Sequence, residues 1–379
     1  MSSKIANFKE EDGVLTFTIG STDVSFVNAI RRTILSDIPV VVFKTAPDNE
    51  NRANILVNTS RLHNEIIKQR LGCIPIHISE PGLIENLQNY QLELDVENKT
   101  DTMMIVTTKD FKIKNLSTDQ FLAEDVVRRI FPPFIPPTGK GEYFIDFVRL
   151  RPKVSEDLPG EKIKLTCAFS VSTARDNSMY NITGTCSYGC TPDQSKIAEQ
   201  LEIRKQKWKD EGKSADEIKF EGQNWVLLEG LRYVVPKSFD FIIQSVGIYE
   251  NTEIIIKACL ILNDKFTKLS QELDQDEVPI EPSVNTLENS YDVTLINEDY
   301  TVGNILNYQI YTIFYSDLKI VDYVGFKKMH PHDSDSILRI ALTEKGDGKN
   351  GIKKILKLSI EESIKKINSI KGLFDGSRK

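Results

Sequence analysis

Val24-Ser-Phe-Val-Asn-Ala-Ile-Arg-Arg-Thr-Ile-Leu-Ser-Asp-Ile-Pro39 carries the pattern from which the rest of the chain is read. Val27, Ile30 and Ile34 follow one another at three and four positions, one face of a 3.6-residue period, so the spacing predicts a helix over Val24–Ser36. Thr22 or Asp23 offers a side-chain oxygen to its free amides. Pro39 stops it, because the residue before a proline is pushed out of helical geometry. Val40-Val-Val-Phe43 then reads as a buried strand. Arg31 and Arg32 interrupt the apolar helix. They read either as a solvated edge or as planar forks for the carboxylates of a large partner.

The chain around this helix has 379 residues, enough for two or three domains. Hydrophobic residues make up 40% and charged residues 27%, which argues against wholesale disorder. A net charge of −7 argues against a general nucleic-acid coat protein. Cys73, Cys167, Cys186, Cys190 and Cys259 are odd in number and scattered, which fits a reducing compartment better than a disulfide framework. The start, Met1-Ser-Ser-Lys-Ile-Ala-Asn7, lacks the apolar core of a signal peptide. No run reaches the roughly 18 apolar residues of a membrane span. An intracellular multidomain protein is the expectation.

Further along, Leu62–Leu71 reads as a short helix with Gly72 as its left-handed cap. Tyr90, Leu92, Leu94 and Val96 alternate with polar residues, as do Ile163, Leu165, Cys167, Phe169 and Val171, so the middle of the chain is β-rich. Between them Phe131-Pro-Pro-Phe-Ile-Pro-Pro137 reads as a loop or edge, since it lacks consecutive ladder amides. Lys196–Glu211 reads as a charged, exposed helix, and Phe239–Val246 as a strand. Ile255, Cys259, Leu262, Phe266, Leu269 and Leu273 step by four and three, a narrow seam suited to packing along another helix. Gln271–Glu288, with six acids and no base, reads beyond the end of that helix as a solvated linker. The last ninety or so residues repeat the opening design: a strand, a capped helix from Thr301, a strand at Ile337–Thr343 and a long helix. Ile352, Leu356, Ile360, Ile364, Ile367 and Ile370 give that helix its apolar stripe. Its other face is Lys-rich.

Motifs for chemistry are sparse. Cys186-Ser-Tyr-Gly-Cys190 has zinc-knuckle spacing but no second cysteine pair. His63-Asn-Glu65 lacks the Pro-Cys-x-x-Cys partner of zinc deaminases. His330-Pro-His332-Asp333 reads as a loop, and Gly346–Gly351 as a turn without phosphate-loop spacing. No catalytic, metal or cofactor residue is assigned.

Val24–Pro39 resembles the alpha motif of RNA polymerase assembly subunits, the group of bacterial alpha, archaeal D and the eukaryotic third-largest subunits. Leu62-His-Asn-Glu-Ile-Ile-Lys-Gln-Arg-Leu-Gly-Cys-Ile-Pro75 is similar to that family's second block, and Phe241-Ile-Ile-Gln-Ser-Val-Gly247 to the strand before its long helix. Glu298-Asp-Tyr-Thr-Val-Gly-Asn-Ile-Leu306, Val324-Gly-Phe-Lys-Lys-Met-His-Pro-His332 and Leu338-Arg-Ile340 resemble the smaller partner, archaeal L and the eukaryotic eleventh subunit. Two departures stand out. Tyr300 takes the place of a histidine, and Ile78–Gln91 lacks the cysteines of the zinc loop some D-like subunits carry.

The resemblance implies an α+β fold with two alpha-subunit-type dimerisation modules, strands packed with long helices, plus a β-rich insert domain. Residues 1–45 and 222–273 would form the D-like module, 46–191 the insert, 192–221 a charged helical connector, 274–286 an acidic linker and 287–379 the L-like module. Its implied interface residues are Asn28, Ala29, Arg31, Arg32 and Leu35 on the first helix, and Arg70, Leu71 and Gly72 in the second block. Leu262, Phe266 and Leu269 would face Leu356 and Ile360 across the two long helices. Asp299, Thr301, Gly303, Asn304 and Leu306 mark the L-like helix start, and His330 and Pro331 its turn. The implied function is a non-catalytic scaffold of a DNA-directed RNA polymerase, with its two modules paired within one chain. Its partners would be two large subunits and a small assembly subunit, with indirect association with DNA and RNA and no membrane. A fusion of this kind resembles those of large nucleocytoplasmic DNA viruses, implying a viral factory or virion, or a nucleus for a cellular source. Two other readings remain open: a zinc metalloenzyme built on Cys186, Cys190 and a histidine, and a homodimeric protein-binding module.

Overall fold

The computed structural model describes residues 3–79, 87–153, 155, 159–284, 287–344 and 348–375. Met1 and Ser2, Gly346 and Asp347 of the glycine turn, Asn285 and Thr286 of the acidic stretch, residues 80–86 of the cysteine-free Ile78–Gln91 segment and the last four residues lie outside them. Eight helices run through the described residues: α1 (Val24–Ser36), α2 (Asn64–Gly72), α3 (Glu124–Ile130), α4 (Gln194–Asp210), α5 (Ala215–Leu227), α6 (Asn251–Asp274), α7 (Tyr300–Ile310) and α8 (Lys349–Asp375). The fold is α+β, and the chain divides into two units.

The first unit gathers residues 1–34, 185–244 and 251–379. Its first sheet runs in the order Lys4–Glu11, Val14–Gly20, Val234–Ser245, Thr183–Pro192. Phe17 and Phe241 stack at 5.0 Å on neighbouring strands, and Phe374 at the end of α8 meets Phe17 edge-on at 5.0 Å. A second sheet runs Ile280–Pro282, Ser290–Leu295, Ser336–Leu342, Val321–Lys327, all antiparallel. α6 and α8 pack along each other, burying Ile255, Cys259, Leu262 and Phe266 on one side and Ile352, Leu356, Ile360 and Ile367 on the other. Their seam spacings keep one stripe on one face over six turns, as helix pairing requires. Ala258 on α6 and Ser359 and Ser363 on α8 are small buried residues that let the backbones approach. Each serine returns its hydroxyl to the carbonyl four residues back, Ile355 and Ser359 respectively.

The acidic stretch is built into this unit, contrary to its reading as a solvated linker. Val278 and Ile280 are buried, Ile280–Pro282 pairs with Tyr291–Val293, and Asp274 and Asp276 bind Lys357 and Lys353 of α8. Asp274 and Asp276 face these lysines while Val278 and Ile280, two alternating apolar residues, turn inward. Lys196–Glu211 is likewise only partly exposed. The helix it forms, α4, buries Ile197 and Trp208 against Ile218 and Trp225 of α5, a helix the sequence pattern did not reveal. α7 continues as a wider π-helical segment over Tyr311–Asp317, where the Leu318 amide reaches back to the Ile313 carbonyl at 2.9 Å.

The second unit gathers residues 35–184 and 245–250. Its sheet runs Val40–Phe43, Lys162–Ser172, Tyr90–Glu97, Lys112–Asn115, Gln120–Phe121, and Ala53–Asn58 also pairs with the long strand Lys162–Ser172. The alternation read in the sequence is the observed inward face along most of its length: Leu92, Leu94, Ile163, Leu165, Cys167 and Phe169 are buried, whereas Val171 near the end of its strand is exposed. Phe111 packs edge-on against Phe131 and Phe147 at 5.3 and 5.5 Å. The proline-rich segment is a loop pinned by a single bridge between Phe134 and Tyr143. Gly72 is not a left-handed cap; it lies inside α2, which ends at Cys73 in right-handed geometry. A Cβ there would fall 2.9 Å from Met179 Sδ and 3.0 Å from Thr45 Oγ1, so close packing sets this glycine.

Candidate functional site

A mixed polar and apolar junction in the first unit lies where α1 meets α7, whose cap is Asp299, its Oδ1 accepting the Thr301 amide at 2.9 Å. Its other oxygen takes Arg32 Nη2 at 2.6 Å, and Arg32 Nε donates to Thr301 Oγ1 at 2.9 Å. The acceptor expected for Arg32 on a large partner is therefore supplied by the same chain. Arg31 turns the other way, donating to Asn28 Oδ1 at 3.0 Å and lying close enough to Cys186 and Tyr188 to act on their charge states. Phe26 of α1 meets Tyr308 of α7 edge-on at 6.3 Å. Ala29 is buried and Leu35 half-buried on α1.

Thr301 and Leu306 are buried in α7, and Asn304 is half-buried. Gly303 faces Phe326, whose ring carbons would lie 2.0 Å from an added Cβ, so only hydrogen fits there. Tyr300 sets its ring edge-on to the same Phe326 at 5.4 Å, which gives the tyrosine at the motif's histidine position a packing role. His330 and Pro331 are apart from this cluster. They lie on an exposed turn held by the His330 amide donating to Asp333 Oδ2 at 2.9 Å.

Along α6 and α8 the expected residues come together. Leu262, Phe266, Leu356 and Ile360 are almost fully excluded from solvent and Leu269 nearly so. Asn263 Nδ2 donates across to Asn368 Oδ1 at 2.8 Å, a polar pin the hydrophobic pattern could not announce. Lys265 on α6 reaches Glu298, beside the α7 cap, at 3.3 Å. Lys366 of α8 donates to the Ser21 carbonyl at 2.7 Å; burial, and then the nearby Lys237, pushes its ammonium below the ordinary lysine range. In the second unit, Leu71 is buried while Arg70 is exposed and donates to the Phe147 and Asp146 carbonyls at 2.7 and 2.6 Å.

Chemistry of the metal or nucleophile kind finds little here. Cys186 and Cys190 stand four residues apart on one extended strand, about 13 Å along its axis. Burial pushes the Cys186 thiol up to about 12, so it keeps its proton at neutral pH. Among the described residues no three His, Cys, Asp or Glu side chains are grouped to hold a metal ion, and no helix is long and apolar enough to cross a membrane.

What the arrangement offers is helix-to-helix burial joined by a few oriented ion pairs, and its counterparts lie in transcription. The chain is 21% identical over 290 residues to DNA-directed RNA polymerase II subunit RPB3 of Schizosaccharomyces pombe, covering 72% of this chain and 87% of that protein. It is 24% identical over 192 residues to human DNA-directed RNA polymerases I and III subunit RPAC1, covering 48% of this chain and 53% of the relative. It is 23% identical over 184 residues to DNA-directed RNA polymerase subunit Rpo3 of Methanobrevibacter smithii, covering 48% and 57%. Against the human and archaeal relatives, then, the chain spans only a little over half their length. Residues 16–266, from the second strand through most of α6, match the RNA polymerase Rpb3/Rpb11 dimerisation domain, and the chain belongs to that family.

Proposed function

We propose that this chain is a non-catalytic assembly subunit of a DNA-directed RNA polymerase in which a D-like and an L-like dimerisation module are joined in one polypeptide and pair with each other. The observation that carries the reading is the burial of the α6 seam, inside the matched family domain, against α8, which lies beyond it. In this reading the Arg32–Asp299 pair and the α6–α8 seam do within one chain what a heterodimer contact does between two. The paired modules form the platform for two large catalytic subunits, alongside a small assembly subunit, and DNA and RNA are held by those partners. The source is a large DNA virus, with the protein working in the viral factory or carried in the virion. Affinity capture of the full chain from producing cells tests this: two large polymerase subunits should co-elute in equal amounts. Recovery of the chain without them would sink the proposal. A homodimer built on the apolar seams is disfavoured, because α6 and α8 already cover each other.

A further inference from the structure

The second unit contains a cavity of about 560 Å³ whose charge is out of keeping with an acidic chain. Arg61, Arg70, Arg149 and Arg151 line it, against Asp146 and Glu161. Glu161 is already engaged, taking Arg151 Nε at 2.5 Å and the Arg151 amide at 2.7 Å. Asp146 lies a loose 4.0 Å from Arg149 Nη2. Arg70 donates from Nε and Nη2 to two backbone carbonyls, which orient the guanidinium plane but leave its charge uncancelled and its Nη1 donors for a ligand. Arg61 makes no hydrogen bond or ion pair among the described residues. The cavity thus presents two more cations than anions, in a chain whose net charge is −7.

Of the apolar residues lining it, Phe147 and Val148 are buried behind the surface, and the half-buried Leu62 and exposed Met103 present side chain to the cavity. Guanidinium forks match carboxylates in two-point geometry, and a thioether at a rim adapts to varied side chains. Nucleic acid fits less well, since the lining holds no exposed aromatic face on which a base could stack. We propose that this cavity is a docking site for an acidic peptide segment of a partner protein, seating an Asp or Glu on Arg61, Arg70 and Arg149 and a large apolar side chain on Leu62 and Met103. The inference rests on this unit alone and holds whether or not the chain assembles a polymerase.

Fluorescence polarisation on the purified full chain tests it, with fluorescein-labelled Glu-Asp-Leu-Phe-Glu-Asp, its amide counterpart Gln-Asn-Leu-Phe-Gln-Asn, and a labelled thymidine oligonucleotide. The acidic peptide should bind at least about tenfold more tightly than the amide peptide, and weaken with added salt. Arg61→Glu combined with Arg149→Glu should weaken it by about tenfold or more, at an unchanged unfolding midpoint, because neither side chain makes a close bond within the fold. Lys207→Glu with Lys209→Glu, the same charge change on α4, should leave binding as in the parent. Equal binding by the double arginine variant, equal binding of the amide peptide, no binding of the acidic peptide, or tighter binding of the oligonucleotide would each overturn the proposal.

Discussion

Arg32 holds both the cap and the first turn of α7: its Nη2 lies 2.6 Å from Asp299 Oδ2 while its Nε bonds Thr301 Oγ1 at 2.9 Å. Both side chains of the ion pair are largely shielded, so the charge-assisted bonds form in reduced dielectric. Arg32→Ala should cost about 1.5–3 kcal/mol. Asp299→Ala should cost about 1 kcal/mol more than the lost pair, since the cap goes with it. Because the two residues share one interaction, the double variant should lose less than the sum. Denaturant midpoints of the four proteins measure the coupling, and strict additivity would show that the pair contributes nothing.

Phe266 is fully buried where α6 faces α8, whereas Leu260 on the same helix is 44% exposed. Phe266→Ala should cost about 3–5 kcal/mol through lost transfer energy and an unfilled cavity. Leu260→Ala should stay within about 0.5 kcal/mol. Urea unfolding separates them, and matching midpoints for the Phe266 variant and the parent would remove α6 from the pairing surface.

At Gly303 two effects oppose each other. Alanine gains about 1 kcal/mol of helix propensity, but its Cβ would sit 2.0 Å from the Phe326 ring. Overpacking costs about 1–3 kcal/mol and should win, giving a lower melting temperature. Adding Phe326→Leu should recover part of the loss. A Gly303→Ala protein that melts above the parent would refute the close approach.

Asp292 accepts Arg339 Nε and Nη2 at 2.6 and 2.7 Å in the second sheet, and this bonding holds its carboxyl below the usual range despite partial burial. A depressed folded value means that the unfolded chain binds the proton first. The stability is therefore present above about pH 4 and is lost as pH falls through the folded value. Asp292→Asn should be less stable than the parent at pH 7, with the gap closing as pH falls below the ordinary carboxylate range. A gap constant with pH would mean that the ionised form is not what Arg339 holds.

The helices α1, α6 and α8 are legible because each carries an unbroken apolar stripe, and a stripe is a local property of sequence. The acceptor of Arg32 is not legible, because it lies 267 residues away. The four cavity arginines are spread from residue 61 to residue 151 and converge only in the fold, where the helix carrying Arg70 packs on the strand carrying Arg149. α5 escaped notice since Ile218, Gly222 and Trp225 are too few to set a period. The acidic linker was misread for a related reason: Val278 and Ile280 are only two inward residues amid acids and prolines, and composition outweighed alternation. Gly72 shows the limit of turn rules, since a glycine near a helix end marks a cap or a close neighbour with equal economy.

A cut within the acidic linker should reveal what that alternation does. Residues 1–275 expressed alone should be poorly soluble, with the α6 seam uncovered. A companion fragment from residue 276 should rescue them better than one from residue 287, which lacks Val278, Ile280 and the edge strand. Equal rescue, judged by soluble yield and co-elution, would make the edge strand dispensable.

Ile280–Pro282 also fixes an order of events. During synthesis this strand leaves the ribosome before its partner Tyr291–Val293 and the rest of its sheet. The first-made strand of that sheet is therefore tethered to the end of α6 when its partners emerge. Separate genes for the two halves would have to be matched in output, and any surplus would circulate with a bare apolar face open to proteolysis or aggregation. A single message removes that regulatory problem: each translation delivers the two halves in equal number.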